Sequence, residues 1–150
     1  MASMLDVAFD ADTYRSYRQR LEAIAGVPVS IPESQVLKFV ANGLPASVLA
    51  RLADSPALAR YARGIPSGAS QLCLRNSFVA FELAFILALA QAVLGCPIAA
   101  EDWLATPCEQ LGGFRPADLF GQDNGAAHLT VSLIRLNAKA GDSILGSTRQ

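Results

Sequence analysis

The sequence predicts an all-α protein, and three observations lead to that prediction. Apolar residues recur at intervals of three and four, as in Tyr14, Tyr17, Leu21 and Ile24, which is the spacing of one helix face. Glycine and proline punctuate such segments where helices usually begin and end. No segment alternates apolar and polar residues over more than a few positions, so no strand is predicted.

Local signals place the helices of the first half. We expect Asp12 to cap the first helix and Gly26 to end it, with Arg18 on the face opposite the apolar stripe. The segment Ser30-Ile31-Pro32-Glu33 predicts a capping box before the next helix, which Asn42-Gly43 ends. Further helices are predicted from Pro45 (with Val48, Leu49 and Leu52 inward), from Ser55-Pro56 (with Leu58, Ala59 and Ala62 inward), and from Ala69 to Asn76, after a break at Gly64–Gly68.

A long apolar helix is predicted over Phe78–Leu94, ended by Gly95-Cys96-Pro97. Its 17 residues are at the short limit for a membrane span. It contains Glu82 and Gln91, and no cluster of lysine or arginine flanks it closely, so a buried central helix is favoured over a span. Because it is apolar nearly all round, we expect its own domain to cover one side and a second copy of the chain, in a homodimer, to cover another.

The last third predicts shorter elements. A helix is expected over Ala99–Thr106, ended by Pro107, followed by a turn at Leu111-Gly112-Gly113 and one helical turn at Pro116–Phe120, closed by Gly121. Asn124 is expected to cap a final helix, and the tail from Gly141 is expected to fray. Ala126, Leu129, Leu133 and Leu136 share one face of that helix.

Composition favours binding to other macromolecules. Hydrophobic residues make up 52% of the 150 residues and charged residues 17%, against about 45–50% and about 25% in average soluble chains. The excess apolar surface predicts a partner or oligomer that buries it. The net charge of −1 excludes bulk attraction to nucleic acid, although Thr13–Arg75 carries eight basic and three acidic residues.

No catalytic or metal site is predicted, and so no enzyme activity and no cofactor. His128 is the only histidine, and it has neither a Gly-x-Ser-x-Gly elbow nor the neighbours of a triad. Cys73, Cys96 and Cys108 contain no Cys-x-x-Cys pair, and we interpret them as reduced cytosolic thiols packed between helices. The acidic N-terminus, without an apolar core, is not typical of a signal peptide, so a cytoplasmic location is expected.

Two stretches resemble a known family. Trp103-Leu104-Ala105-Thr106-Pro107, then Leu111-Gly112-Gly113-Phe114-Arg115-Pro116 and Leu119-Phe120, resembles the toxin-binding domain of the Xre/MbcA/ParS-type antitoxins. Gly43-Leu44-Pro45 with Leu49 and Leu52 is similar to the opening of that family's helix-turn-helix half. The resemblance covers about residues 37–136. It implies an N-terminal extension over residues 1–36, a helix-turn-helix-like region with the long helix over 37–95, and a small toxin-binding domain over 96–150.

The resemblance also implies partners. Members of this type neutralise a toxin, commonly one with a RES domain that consumes NAD, and they repress their own operon. The residues implied for toxin contact are Trp103, Leu111, Phe114, Arg115, Leu119, Phe120, Arg135 and Lys139. Those implied for operator DNA are Arg51, Arg60, Arg63 and Arg75 for phosphates, with Ser70 and Gln71 for base edges. In this chain the span matching the recognition helix, Ser67–Asn76, holds only one arginine.

Two other functions remain open from the residues. The chain could be a helix-turn-helix DNA-binding regulator without a toxin partner, which salt-dependent operator binding by the free protein would indicate. It could also be a small helical scaffold or membrane-associated protein built around Phe78–Leu94, which partition into membranes would reveal.

Overall fold

The computed structural model describes residues 9–66 and 70–148, with side chains as far as Lys139. Its α-helices are α1 (Ala11–Ala25), α2 (Val36–Ala41), α3 (Ser47–Ala53), α4 (Ala59–Arg63), α5 (Leu74–Leu94), α6 (Pro97–Ala105) and α7 (Gly125–Thr148). Short 3₁₀ turns cover Glu33–Gln35, Glu109–Leu111 and Pro116–Gly121. Within the described residues no strand forms, apart from an isolated bridge between Pro45 and Gln71, so the all-α prediction is confirmed.

Helix α5 is the centre of the molecule. It is apolar on nearly every side, and α1, α7, α2, α6 and α3 all pack against it. Leu83, Ile86 and Leu89 are fully or almost fully buried, and Gly95 ends the helix with a φ of 91°. The helix begins four residues before the predicted start at Phe78. The chain itself therefore covers most of the apolar surface of α5, part of which was expected to be covered by a second copy in a homodimer.

Helix α5 is also the one helix of the described part of the chain that is long and apolar enough to cross a membrane. In the most apolar 18-residue stretch of this helix, 56% is buried inside the protein. A core helix passes the same test of length and composition, and the packing of five other helices around α5 favours that interpretation.

A single hydrophobic core runs through the three segments predicted as separate regions. Leu21, Leu44, Leu89, Leu104 and Leu133 all belong to it and are fully buried. The boundaries at residues 36 and 95 remain a prediction. Whatever their functional meaning, the segments on either side share one packed interior.

The first helix differs from its prediction in two details. Asp10, not Asp12, is the N-cap, because its carboxylate accepts from the backbone N–H of Thr13 at 3.2 Å and from its hydroxyl at 2.6 Å. Arg18 is only 5% exposed instead of lying on a free outer face. Gly26 ends the helix as predicted, with a φ of 73°.

The predicted capping box at Ser30–Glu33 is wrong. Pro32 holds the N-cap position of the 3₁₀ turn without a side-chain cap. Glu33 instead accepts from the Tyr14 hydroxyl at 2.8 Å and from Arg18 at 3.4 Å. A buried guanidinium needs a carboxylate more than an exposed helix start needs a cap, and that requirement decides where Glu33 points.

The predicted helix over Ala69–Asn76 is wrong for residues 70–73, whereas residues 74–76 are helical as the first turn of α5, and residues 67–69 lie outside the described part of the chain. Ala46 donates its backbone N–H to the Ser70 carbonyl at 2.9 Å, and Leu72 donates to the Leu44 carbonyl at 2.8 Å, so residues 70–72 are extended beside residues 44–46. Pro45 consequently lies in this pairing, two residues before α3, instead of inside its first turn.

Buried Ser77 also holds the extended residues 70–72 beside residues 44–46. Its hydroxyl accepts from the Leu44 N–H at 2.9 Å and donates to the Leu72 carbonyl at 3.3 Å. Satisfying these backbone groups offsets the cost of burying them, which favours extended chain here over another helix.

The C-terminal elements follow the predicted order with shifted ends. Helix α6 begins at Pro97, two residues early, and the Cys96 sulfur accepts from the Ala99 N–H at 3.5 Å. Helix α7 follows Asn124, whose φ of 59° is not the extended conformation expected of an N-cap. The tail from Gly141, which was expected to fray, is part of α7 as far as Thr148 in the structure.

The cysteines are less packed than predicted. Cys73 and Cys96 are exposed and Cys108 is half-buried, and all three are free thiols. Among the described residues, no three histidine, cysteine or acidic side chains are grouped so as to hold a metal ion.

Candidate protein-binding surface

The glycine pair after α6 shapes a closed loop. Gly112 and Gly113 have φ values of 72° and 84°, in the left-handed region that side chains with a Cβ disfavour. The Cys108 N–H donates to the Phe114 carbonyl at 3.1 Å, and the Gly113 N–H donates to the Cys108 carbonyl at 2.9 Å. This closure holds Phe114 at the surface with 49% of its area exposed.

The side chains predicted for toxin contact fall into two groups. Leu119 is buried, and Trp103, Leu111 and Phe120 are half-buried against the core. Phe114, Arg115, Arg135 and Lys139 are exposed. In this conformation only the second group is exposed enough to be available to a partner, while the first group packs against the core.

One carboxylate joins the two predicted binding regions. Asp118 accepts from Arg115 Nε at 2.9 Å and Arg115 Nη2 at 3.3 Å, and also from Arg60. The hydrogen bonds from Arg115, and next those from Arg60, hold the pKa of Asp118 below its ordinary value. Arg60, implied in DNA contact, and Arg115, implied in toxin contact, are therefore neighbours.

A second carboxylate, that of Glu101, also links the C-terminal elements to the segment between α3 and α4, at a less exposed position. Glu101 on α6 accepts from the Ser55 hydroxyl and from the Ala57 N–H at 3.2 Å. Ser55 was predicted to start a helix, but its hydroxyl bonds to Glu101 and α4 begins only at Ala59. A cleft of about 370 Å³ lies between the two links, and both Glu101 and Asp118 line it.

The first part of α7 adds two exposed residues, His128 and Val131, that the sequence did not single out for binding. His128 and Val131 are exposed, as are Arg135 and Lys139. His128 also lines a cleft of about 280 Å³ together with Leu111, Phe114 and Leu119. The spacing of three and four residues was the available signal, but it was used only for the buried face of the same helix.

The residues implied in DNA contact do not share one helix. Arg51 is on α3, Arg60 and Arg63 are on α4, and Arg75 is in the first turn of α5. All four are exposed, as is Ser70. The Gln71 amide donates to the carbonyls of Asn42 at 2.8 Å and Gly43 at 3.1 Å, so it fastens the end of α2 in this conformation.

The chain is similar to a known bacterial antitoxin along most of its length. No family model matches the chain. Over 144 residues it is 25% identical to a Pseudomonas putida protein named Antitoxin Xre, and the match covers 89% of this chain and 91% of that protein. This similarity supports an Xre-type antitoxin.

Proposed function

We propose that this protein is the antitoxin of a type II toxin–antitoxin system, a non-enzymatic cytoplasmic protein that binds a cognate toxin and blocks it. The observation that carries the proposal is the similarity to Antitoxin Xre over nearly the full length of both chains. Similarity confined to a DNA-binding half would suit any regulator. A match that continues through the C-terminal segment favours the complete antitoxin.

The toxin we propose is of the RES type, which consumes NAD. The exposed set of Phe114, Arg115, Arg135 and Lys139 combines an aromatic anchor with basic side chains. Aromatic residues and arginine are enriched at the energetic centres of protein interfaces, so this set suits a tight and stoichiometric complex. Blocking then consists of covering the toxin's pocket, and no residue of this chain needs to perform chemistry.

Growth rescue tests this function. The protein encoded by the adjacent gene is expressed under one promoter and this chain under another, while growth and cellular NAD are measured. We expect the neighbour alone to arrest growth and deplete NAD, and co-expression of this chain to restore both. Arrest without NAD loss would remove the RES assignment, and arrest without rescue would remove the antitoxin role.

A pair of variants tests the proposed surface in the same assay. Phe114→Ala removes the exposed aromatic anchor and is expected to weaken the complex by about tenfold or more. Ile98→Ala is the matched control, because Ile98 is an exposed apolar residue on α6 outside this set. Equal affinities of the two variants in titration calorimetry would exclude Phe114 from the interface.

We include repression of its own operon as a second activity. Exposed Arg51, Arg63 and Arg75 would contact phosphates. A DNA phosphate would have to compete with Asp118 for Arg60. Binding through so few cations should be weak and steeply dependent on salt. A gel shift with the upstream DNA at two salt concentrations tests it, and DNA binding without any toxin partner would favour the alternative of a transcriptional regulator.

Self-association would use the exposed part of α5. Val79 and Glu82, three residues apart, form one exposed strip of this helix, and Leu74 is a further exposed apolar side chain in its first turn. This strip is small for a stable dimer interface, which usually buries about 800 Å² per partner. Light scattering across a concentration series measures the proposed homodimer, and Val79→Arg should abolish it.

A further inference from the structure

The exposed face of α7 forms a straight line of four side chains. His128, Val131, Arg135 and Lys139 follow one another at intervals of three, four and four, so they lie on one side of the helix. We call these four residues the α7 stripe. At 1.5 Å per residue it extends about 16 Å along the helix axis.

The stripe begins at the cleft beside Phe114. The residues that line this cleft include the apolar Leu111, Phe114 and Leu119 and the polar Gln110, Gln122 and His128, and none is acidic. Its volume of about 280 Å³ suits the insertion of one side chain, not a whole segment. The cleft therefore has an apolar interior with hydrogen-bonding groups at its edge.

The charge along the stripe has one sign. Residues 125–139 contain no aspartate or glutamate, and the first acidic residue of α7 is Asp142. Glu109 and Asp123 lie in the adjoining turns and are exposed, but neither lines the cleft. A partner that lies along α7 meets apolar surface first and then two cations.

From this arrangement we infer the chemistry of the toxin segment that docks here: an apolar side chain enters the cleft, and carboxylates placed further along meet Arg135 and Lys139. The inference rests on the proposed function and specifies its partner. Complementary charge at the edge of an interface sets the register and speeds association, while the buried anchor supplies most of the affinity. The docking direction is thereby fixed, with the anchor near Gly125 and the acidic groups toward Lys139.

The two lysines of the chain allow a direct test. Lys38 on α2 and Lys139 on α7 are both exposed, and there is no third lysine. A carbodiimide joins a lysine amine to a carboxylate that touches it. In the purified complex with the neighbour-encoded toxin, peptide mass spectrometry should find toxin aspartate or glutamate joined to Lys139 and not to Lys38. Linkage to Lys38 alone, or to neither lysine, would overturn the inference.

Charge reversal provides the quantitative test. Arg135→Glu and Lys139→Glu should each weaken the complex by about tenfold at low salt and flatten its salt dependence. Arg63→Glu is the matched control, since Arg63 is also exposed but lies on α4. If all three variants bind with the affinity of the natural chain, or if Arg63→Glu is the weakest, the stripe does not contact the partner.

The two proposals fail differently. If the neighbour-encoded protein forms no complex with the natural chain, the antitoxin role and the docking inference are both wrong. If a tight complex forms but no cross-link involves Lys139 and the charge reversals on α7 leave the affinity unchanged, the antitoxin role stands. Only the docking inference is then overturned. Circular dichroism of each variant before binding separates loss of folding from loss of contact.

Discussion

Two arginine–carboxylate clusters in this protein have similar chemistry and opposite surroundings. In the first, Arg18 and Glu33 face each other with side chains that are 6% and 16% exposed. In the second, Asp118 is 26% exposed and binds Arg115 and Arg60, which are 50% and 57% exposed. Burial makes the loss of one partner costly, whereas solvent and salt screen an exposed pair. The first cluster is therefore part of the fold, and the second is available for binding.

Removal of Arg18 should have the largest effect on stability. Its Nη2 donates to the carbonyls of Pro28 at 2.7 Å and Ile31 at 2.8 Å, in addition to its contact with Glu33. Arg18→Ala removes the guanidinium from both carbonyls and leaves the Glu33 carboxylate half-buried without its cation, with only the Tyr14 hydroxyl as donor, at a cost of about 3 kcal/mol in the free energy of unfolding. Urea denaturation followed by circular dichroism measures it.

The control is Arg15→Ala on the exposed side of the same helix, which should change stability by no more than about 0.5 kcal/mol. Equal losses for the two variants would mean that burial does not distinguish the clusters.

Removal of one hydroxyl from the buried cluster should have a smaller effect. Tyr14 donates to Glu33 at 2.8 Å and accepts from Arg18 at 3.3 Å. Tyr14→Phe keeps the ring and removes both hydrogen bonds, so a loss of about 1 kcal/mol is expected by the same denaturation measurement. Tyr61→Phe is the parallel change beside the exposed cluster, because the Tyr61 hydroxyl accepts from Arg60 at 2.9 Å. A larger loss for Tyr61→Phe would reverse the assignment of structural and available clusters.

The sequence was sufficient for the helical class because that class depends on local spacing. The intervals around Leu21, Leu52 and Leu133 mark buried faces that packing then confirms. The segment over residues 70–73 was predicted incorrectly because its conformation depends on distant residues. Ser77 and the chain at residues 44–46 hold it extended, and no local pattern encodes that pairing.

The candidate surface was predictable only in part, for the same reason. The residue types around Gly112 and Gly113 identified the loop, and the left-handed φ values explain why glycine is found there. Burial of Leu119 follows from how α7 packs on the 3₁₀ turn at Pro116–Gly121, which spacing alone cannot decide. The proximity of Arg60 and Arg115 could not be predicted either, because they are far apart in sequence and are connected only through Asp118.

Substitutions in the exposed cluster should have the smallest effect on stability. The titration of its carboxylate, Asp118, can be measured directly. Arg115→Gln and Arg60→Gln should both leave the free energy of unfolding within the scatter of surface substitutions. Each should nevertheless raise the pKa of the Asp118 carboxyl toward its ordinary value, and Arg115→Gln should raise it more, because the hydrogen bonds from Arg115 are the largest cause of the lowering. Carbon-detected NMR of the side-chain carboxyls across pH 2 to 7 would follow this titration.

The direction of the linked pH effect follows from the lowered pKa. A carboxyl whose pKa is lower in the folded state contributes stability above its unfolded pKa and loses that contribution as the pH falls through the folded value. The small stabilisation from Asp118 should thus be complete at neutral pH and disappear in the acidic range, below about pH 4. If the two arginine variants leave the Asp118 titration unchanged, the cluster does not persist in solution, and Arg60 and Arg115 must be treated as independent side chains.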